Sequence, residues 1–369
     1  MKNVTMISRR SFLKAAMAAS AVSALAFTGC GGSASSTVAA SSTASSAAAS
    51  AAAEGGQTFK VGIVNYVDHA SLNQIVESVE SRLDELGAEK GVTFDYADYY
   101  ANAQADQSNL NQIGADLVGD GVDVIVAVAT PTAATMLAAV EDTDIPVVYS
   151  AVTDPAAAGF DGEENITGTS DALNTEAIMK LITAVNPDID TIGLLYDLSQ
   201  DASTQAIADA KAFCDANGIK YIEKNGTTTA EVQMAAEALI AAGVKAVFTP
   251  TDNTVMTAEL AIYEALAKAG IPHYTGADSF ALNGAFLGYG VDYANLGAET
   301  ANMVSGILLD GSKPSATPVL TFDNGTATIN TDICRELGLN YDELAETFAP
   351  LCTKVQSIVT AESFDDLNE

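Results

Sequence analysis

From Phe59 onward, short runs of β-branched and aliphatic residues alternate with longer amphipathic stretches that begin at Ser, Thr, Asp or Asn. This alternation predicts an α/β fold in which helices cover both faces of a parallel sheet. The strands predicted in the first half are Phe59–Asn65, Thr93–Tyr99, Val122–Ala129, Pro146–Ala151 and Ile166–Ser170. Those predicted in the second half are Thr191–Tyr196, Lys220–Glu223, Lys245–Thr249, Pro272–Thr275 and Ala285–Tyr289.

The two halves share two motifs in the same order. Gly121–Thr132 and Gly243–Thr251 are each an apolar strand that runs into Thr-Pro-Thr, and Ile145–Asp154 is matched in the second half by Ile271–Asp278. A duplicated Rossmann-like lobe explains both pairs. Because open parallel sheets bind ligands beyond the carboxyl ends of their strands, two such lobes predict a ligand cleft between them.

The N-terminal segment has the pattern of an export signal. Four basic residues and no acidic one precede an apolar run from Ala15 to Phe27, which is too short to span a membrane. Ser8–Lys14 is similar to a twin-arginine motif, although the general secretory route stays open. Leu25–Cys30 is similar to a lipobox, so residues 1–29 are predicted to be a signal peptide and Cys30 a lipid anchor that holds the protein outside the cytoplasm. The alternative is a lipid-free protein that is cut nearby.

A tether is predicted to follow the anchor. Residues 31 to 56 are almost entirely Gly, Ser, Ala and Thr, and such a composition cannot bury enough apolar surface to fold. Residues 30–57 are therefore interpreted as the lipidated cysteine and a flexible linker.

Charge and cysteine content exclude several classes of partner. The net charge is −32, and it becomes −36 without the first 29 residues, which carry four basic side chains and no acidic one. Such a surface repels nucleic acid and anionic head groups, so no nucleic-acid partner is expected. Cys214, Cys334 and Cys352 show no CxxC spacing, so no metal is expected either, while a Cys334–Cys352 disulfide is compatible with an oxidising compartment.

The candidate site residues lie in the loops that follow the predicted strands. They are Asn65, Tyr66, Thr130, Thr132, Thr153, Asp154, Asp171, Asp252, Asn253 and Asp278. Hydroxyls and N–H groups at helix starts can hold a carboxylate, and aspartates can hold an ammonium. These loops contain no Lys or Arg, which argues against a phosphorylated ligand and predicts a zwitterion or a neutral polar solute. Helix capping alone remains an alternative for each residue.

The remaining candidates are aromatic. Tyr66 could stack on a planar ligand group, with Phe280 as a weaker second choice. His69 could line the cleft or merely start a helix, and His273 lies within a predicted strand, where a structural role is expected.

No enzyme is expected, and no cofactor. The sequence has no GxGxxG after a strand, no GxxxxGK[ST], no GxSxG and no HExxH. The alternatives to an amino-acid receptor are a receptor for a nucleoside or another small polar solute, and a surface adhesin.

Six motifs in order from about Lys60 to Asp310 resemble one family. They are Val61–His69, Ala129–Pro131, Ala151–Pro155, Asn165–Asp171, Pro250–Thr254 and Gly290–Tyr293. Together they resemble the ABC-transporter substrate-binding family that includes tryptophan- and tyrosine-binding lipoproteins, with the type I periplasmic binding protein fold. The resemblance implies a receptor that closes on an aromatic amino acid and delivers it to an ABC permease.

The resemblance also implies site residues and lobe boundaries. The residues carried over are Tyr66, Thr130, Thr153, Asp154, Asp171, Asn253 and Asp278. Asn65 stands where glutamine is usual, and Thr132 where a small apolar residue is common. With crossings near Gly168, Gly290 and Pro318, the first lobe would comprise residues 58–168 and 290–317. The second would comprise residues 169–289 and 318–369, ending in a helical tail from residue 342.

Overall fold

The computed structural model describes residues 56–322 and 325–368. The predicted signal peptide, the lipid anchor at Cys30 and all but the last residues of the linker lie outside this part of the chain. Within it, fourteen strands form two sheets of seven, and helices pack against both. The predicted α/β class with two lobes is confirmed.

The first lobe is built from the N-terminal sheet and four helices. Its strands are β1 Thr58–Asn65, β2 Thr93–Asp95, β3 Tyr100–Asn102, β4 Val124–Val128, β5 Val147–Ser150, β6 Ile166–Ser170 and β12 Leu320–Thr321. Its helices are α1 Ala70–Lys90, α2 Gln107–Asp120, α3 Thr130–Ala139 and α9 Tyr293–Asp310. The strand order is β12-β6-β5-β4-β1-β2, with β3 also paired to β1, and all pairs are parallel.

The second lobe repeats this plan. Its strands are β7 Thr191–Tyr196, β8 Lys220–Asn225, β9 Ala246–Thr249, β10 His273–Thr275, β11 Leu287–Gly290, β13 Thr326–Asn330 and β14 Lys354–Ile358. Its helices are α4 Thr175–Val185, α5 Asp201–Asn217, α6 Thr229–Ala242, α7 Asn253–Lys268, α8 Asp278–Leu282, α10 Thr331–Glu336 and α11 Tyr341–Phe348. The strand order is β14-β13-β11-β10-β9-β7-β8, in which only the β11–β13 pair is antiparallel.

Five adjacent strands of the two sheets follow the same order, as the repeated motifs predict. β4 and β9 occupy the same position in their sheets, next to β1 and β7, and β5 and β10 follow them outward. Gly121 and Gly243 end the preceding helices with φ of 62° and 75°, a left-handed conformation that glycine adopts without steric cost. The same turn chemistry therefore delivers the chain into the same strand in each lobe.

Helix α1 shows how local pattern and packing agree. Leu72, Ile75, Val76, Val79 and Leu83 are buried at the spacing of one helical face, and α9 packs against this helix. The side chain of His69 caps its N-terminus by accepting from the Leu72 N–H. One apolar cluster contains residues of both lobes, so the core is continuous between them.

The chain crosses between the sheets after β6, after β11 and after β12. β6 extends to Ser170, and β12 reaches Thr321 while pairing with β6. These two crossings therefore fall later along the chain than the positions expected near Gly168 and Pro318.

Two further details of the C-terminal part differ from what the sequence suggested. The tail after residue 342 is not wholly helical, because Lys354–Ile358 pairs with β13 and so satisfies backbone groups that would otherwise form an open sheet edge. Cys214, Cys334 and Cys352 are free thiols, so no Cys334–Cys352 disulfide is present. No helix of the described residues is both long and apolar enough to cross a bilayer.

Gly288 in β11 allows the strand to pass directly behind the start of α8. A Cβ placed there would lie 2.1 Å from the Ala277 carbonyl oxygen and 2.7 Å from the Cα of Asp278, and neither backbone atom can move aside freely. We expect Gly288→Ala to destabilise the protein by about 1–3 kcal/mol in chemical denaturation, because overpacking displaces backbone. The matched control is Gly306→Ala in α9. A Cβ there meets nothing within 4 Å, so that change should leave stability unchanged or increase it. Equal effects of the two substitutions would contradict the prediction.

Candidate ligand site

A small cavity lies between the lobes, at the carboxyl ends of strands from both sheets. It encloses about 30 Å³, which is room for about one or two water molecules. Five of the ten predicted site residues line it: Thr130, Thr153, Asp171, Asp252 and Asn253. A larger solute could enter only if the lobes moved apart.

Asp171 follows β6, where the chain first crosses between the sheets. Its carboxylate accepts hydrogen bonds from the Thr153 hydroxyl at 3.0 Å and from the Tyr293 hydroxyl at 3.1 Å. Burial raises the pKa of this carboxyl above its ordinary value, although the two hydroxyl donors oppose the shift. The described residues supply no salt bridge to it, so the cavity wall contains a buried acidic group without a cation.

Asp278 is a second acidic group without a salt bridge among the described residues, and it is partly buried. It is the first residue of α8, it lies behind the cavity wall, and its neighbours Ala277 and Ser279 line the cavity. Its Oδ1 atom is buried and accepts no hydrogen bond within the described part of the chain. Desolvation, with a smaller contribution from the nearby charge of Asp292, raises the pKa of the Asp278 carboxyl to about 7.

Asp252 has a different environment from the other two carboxyls. Its Oδ1 caps α7 by accepting from Thr254 and Val255 N–H groups at 3.0 Å, and its Oδ2 accepts from the Asp197 N–H at 2.8 Å and the Ser203 hydroxyl at 2.7 Å. Burial still raises the pKa of this carboxyl to about 6. With four donors already bound, Asp252 is built to anchor α7 at the cavity wall.

The N-terminus of α3 faces the cavity without a side-chain cap. Ala129, the N-cap residue, has φ of 77°, and Ala151 after β5 has φ of 58°. Both residues line the cavity, and positive φ in a non-glycine residue costs of order 1–3 kcal/mol. The helix start and the buried Thr130 hydroxyl beside it can receive a negatively charged group through backbone N–H groups and the helix dipole.

The other predicted site residues do not line the cavity. Asn65 is buried and donates to Asn73 Oδ1 at 3.0 Å, and Thr132 is buried within the first turn of α3. Asp154 accepts from the Ala157 N–H at 2.9 Å and so shapes a turn. The Tyr66 hydroxyl accepts from Gln200 at 3.5 Å, at the edge of the cleft.

Several cavity residues were not selected from the sequence, among them Ser71, Met256 and Ser279. Ser71 Oγ donates to Ser279 Oγ at 2.6 Å across the cleft, and Ser279 also contacts the Met256 sulfur at 3.2 Å. Gln200 near the cavity was missed as well. Gln200 follows β7, the strand that corresponds to β1. The loop after β7 is therefore equivalent to the loop that contains Asn65 and Tyr66, and this equivalence could have identified Gln200 as a candidate from the sequence.

The lobes touch directly around the cavity. Besides the Ser71–Ser279 contact, the hydroxyls of Thr153 and Thr251 lie 3.2 Å apart, and His69 Nε2 lies 3.0 Å from Asn253 Oδ1. The apolar part of the wall is formed by Leu72, Met256 and Phe280. The site therefore has a polar part and an apolar part, and each lobe contributes to both.

Two α/β lobes of matching topology, joined by three crossings around a polar and apolar cleft, define a solute-binding protein of the two-lobed type. The model of the ABC transporter substrate binding protein family matches residues 60–349. The chain belongs to this family, whose members bind a small solute outside the cytoplasm for an ABC permease.

Three relatives are informative. The chain is 27% identical over 286 residues to the tyrosine-binding protein of Clostridioides difficile strain R20291, covering 76% of this chain and 81% of that protein. It is 29% identical to a Streptococcus pneumoniae ABC domain solved with L-Trp, with a TM-score of 0.72 over 81% of this chain and all of that one. It is 28% identical to the ligand-free, open structure of a Clostridium difficile substrate-binding protein with adhesive properties, with a TM-score of 0.60 over 82% of this chain and all of that one.

Proposed function

We propose that this substrate-binding protein captures an aromatic amino acid as a zwitterion by closing its two lobes. The observation that carries the proposal is a pair of carboxyl groups that have no salt bridge among the described residues: Asp171, which is buried, and Asp278, whose Oδ1 atom is buried although the residue is only partly so. Burying a carboxylate is costly unless a cation compensates it, and the ammonium of an amino acid supplies that charge.

The α-carboxylate and the side chain of an aromatic amino acid also have complementary surfaces in this cavity. The uncapped N-terminus of α3 suits the α-carboxylate, and Leu72, Met256 and Phe280 suit a planar apolar side chain. The relatives described as tyrosine-binding and as bound to L-Trp support the same ligand class. In this proposal Thr130, Thr153 and Asn253 contact the ligand, while Asn65, Tyr66, Thr132, Asp154 and Asp252 support the loops that do.

The protein has no catalytic role in this proposal. Ligand capture and release need no nucleophile or general base, and the protein delivers its ligand unchanged to an ABC permease. The signal-like residues 1–29 and the lipobox-like segment before Cys30 support export, by the twin-arginine or the general secretory route, and lipid anchoring at the outer face of the membrane.

Thermal unfolding of the refolded chain, freed of carried ligand, tests the ligand class. L-Tyr, L-Phe or L-Trp at 100 times its dissociation constant should add about 2.7 kcal/mol of stability, visible as a shift of several degrees. The comparison panel contains the other amino acids and the common nucleosides. A shift of the melting temperature only with nucleosides would mean that the ligand is a nucleoside and not an amino acid. No shift with any compound of the panel would favour adhesion, a property described for one relative.

A further inference from the structure

Four side chains form a continuous hydrogen-bond chain across the cleft. The Gln200 amide donates to the Tyr66 hydroxyl at 3.5 Å, and the Asn253 amide donates to Gln200 Oε1 at 3.0 Å. Asn253 Oδ1 lies 3.0 Å from His69 Nε2. Tyr66 and His69 belong to the first lobe and Gln200 and Asn253 to the second, so the chain crosses between the lobes twice.

The protonation state of His69 determines which of these side-chain groups donate hydrogen bonds and which accept them. Its Nδ1 atom accepts from the Leu72 N–H at 3.4 Å, so Nδ1 carries no proton. The imidazole is then neutral with its proton on Nε2, which donates to Asn253 Oδ1. That leaves the Asn253 amide to donate to Gln200 Oε1 and the Gln200 amide to donate to the Tyr66 hydroxyl.

Protonation of His69 is incompatible with this arrangement. A proton on Nδ1 would point at the Leu72 N–H, at the first turn of α1, where the helix dipole also disfavours positive charge. Burial lowers the pKa of His69 to about 4, with the Asn253 hydrogen bond and the Asp68 charge acting in the opposite direction. The titratable and charged groups that line the same cavity or the adjoining groove as His69 are Asp68, Glu77, Asp171, Asp252, Tyr293, Glu362 and Asp365.

We propose that Tyr66, Gln200, Asn253 and His69 form a latch that holds the lobes closed only while His69 is neutral, so that acid favours opening and ligand release. Gln200 and His69 are positioning residues of this latch, because they act through the relative position of the lobes. The effect on ligand affinity rests on the proposed function, whereas the effect on lobe opening does not.

The direction of the pH dependence follows from linkage. His69 has a lowered pKa in the closed form and regains its ordinary value when opening exposes it to water. The contribution of neutral His69 to the stability of the closed form is therefore fully present above pH 6.5, and it is lost as the pH falls from there towards about 4. For a ligand that binds only the closed form, affinity should fall roughly 20-fold between pH 7.5 and pH 5 from this group.

Three variants test the latch. Gln200→Ala interrupts the series of hydrogen bonds and leaves His69 unchanged. His69→Asn keeps a side chain that can cap α1 but removes the imidazole that can be protonated. The matched control is Gln205→Ala, because Gln205 lies in α5, the helix that Gln200 precedes as its N-cap residue, and bonds at the surface to Asp209. Small-angle X-ray scattering without ligand measures lobe opening, and calorimetry with L-Tyr and L-Trp between pH 5 and pH 8 measures affinity. Because the chain has only two histidines, imidazole NMR reads the His69 tautomer directly against a His273→Gln reference.

The latch predicts a larger radius of gyration at pH 5 than at pH 7.5 for the unchanged protein and the control. Gln200→Ala should be more open at both pH values and bind about tenfold more weakly, while His69→Asn should lose most of the pH dependence. Equal scattering curves for Gln200→Ala and the control, or a His69 ring that titrates at its ordinary value in the closed form, would overturn the proposal. If neither amino acid binds but the scattering still follows this pattern, the latch stands and the proposed ligand does not.

Discussion

Asp278→Asn is expected to weaken the binding of an aromatic amino acid by about 2–5 kcal/mol, the usual cost of removing one partner of a buried charge pair. The reason is that the Asp278 Oδ1 is buried without a hydrogen-bond partner among the described residues, directly behind the wall formed by Ala277 and Ser279. Isothermal titration calorimetry at pH 7.5 measures the loss. The ligand without its ammonium, a des-amino analogue, should lose far less affinity on the same substitution.

Without ligand, the same substitution should stabilise the folded protein. The pKa of the Asp278 carboxyl rises from its ordinary value to about 7 on folding, so stability is greatest below the ordinary value and is lost as the pH rises towards 7. Asp278→Asn removes this loss, and its stabilising effect in urea denaturation should grow from pH 4 to pH 7 and then level off. Ligand binding near pH 7 should also release a proton, which calorimetry in buffers of different ionisation enthalpy detects.

Asp154→Asn provides the comparison for Asp278. The sequence selected both aspartates, but the Asp154 carboxylate accepts from the Ala157 N–H in a turn, whereas the Asp278 Oδ1 is buried without a hydrogen-bond partner among the described residues. Its substitution should change affinity much less. If the two substitutions cost the same affinity, or if Asp278→Asn leaves affinity unchanged, then Asp278 does not compensate the ligand's ammonium.

His273→Ala is expected to destabilise the second lobe by about 3–5 kcal/mol, because it leaves a buried carboxylate without its partner. His273 Nδ1 lies 3.0 Å from Glu259 Oε1, and the exposed fractions of the two side chains are 2% and 0%. His273 Nε2 also lies 2.8 Å from the Thr249 hydroxyl, which itself donates to the Leu195 carbonyl. The pair therefore joins α7 to β9 and β10. The imidazole also packs edge to face with the ring of the cavity residue Phe280, and the two ring centroids lie 6.3 Å apart.

Urea denaturation of His273→Ala and Glu259→Gln, with Glu264→Ala as the control, measures this effect. Glu264 lies on the same helix but pairs with Lys268 at the surface, where ion pairs contribute little. Glu259→Gln keeps a hydrogen-bonding side chain and should cost less than His273→Ala. A loss in His273→Ala no larger than that of the control would show that the buried pair does not stabilise the lobe.

The ligand site depends on a few backbone features that substitution can probe separately from charge. Ala129 and Ala151 carry positive φ at the ends of adjacent strands, and both line the cavity. Strain of this kind persists only where the surrounding structure enforces it. In this protein it turns the chain sharply from β4 into α3, so that the helix start points into the cleft.

The amino-acid sequence by itself determined the α/β class, the two-lobed plan and ten of the strands, because apolar runs and capping residues act over a few neighbouring positions. The extent predicted for Thr93–Tyr99 was wrong, because this strand ends at Asp95. Predicted and observed bounds coincide for β6 and β7, and the repeated Thr-Pro-Thr motifs identified the equivalent strands β4 and β9. The same local signals placed Thr130, Thr153, Asp171, Asp252 and Asn253 at strand ends, and these residues do line one cavity.

Tertiary structure alone decided which of these polar residues serve the ligand and which serve the fold. Asp252 and Asp278 look alike in the sequence, yet one accepts four hydrogen bonds and the other keeps a buried oxygen without a partner in the described structure. Short strands such as β12 and β14 also escaped detection, because their pairing is set by edges that distant segments leave open. Gln200 and Ser71 reach the cleft only when the lobes meet. Contacts between residues far apart in the chain produce no periodic pattern in the sequence. For this reason the fold could be predicted from the sequence, whereas the details of the site could not.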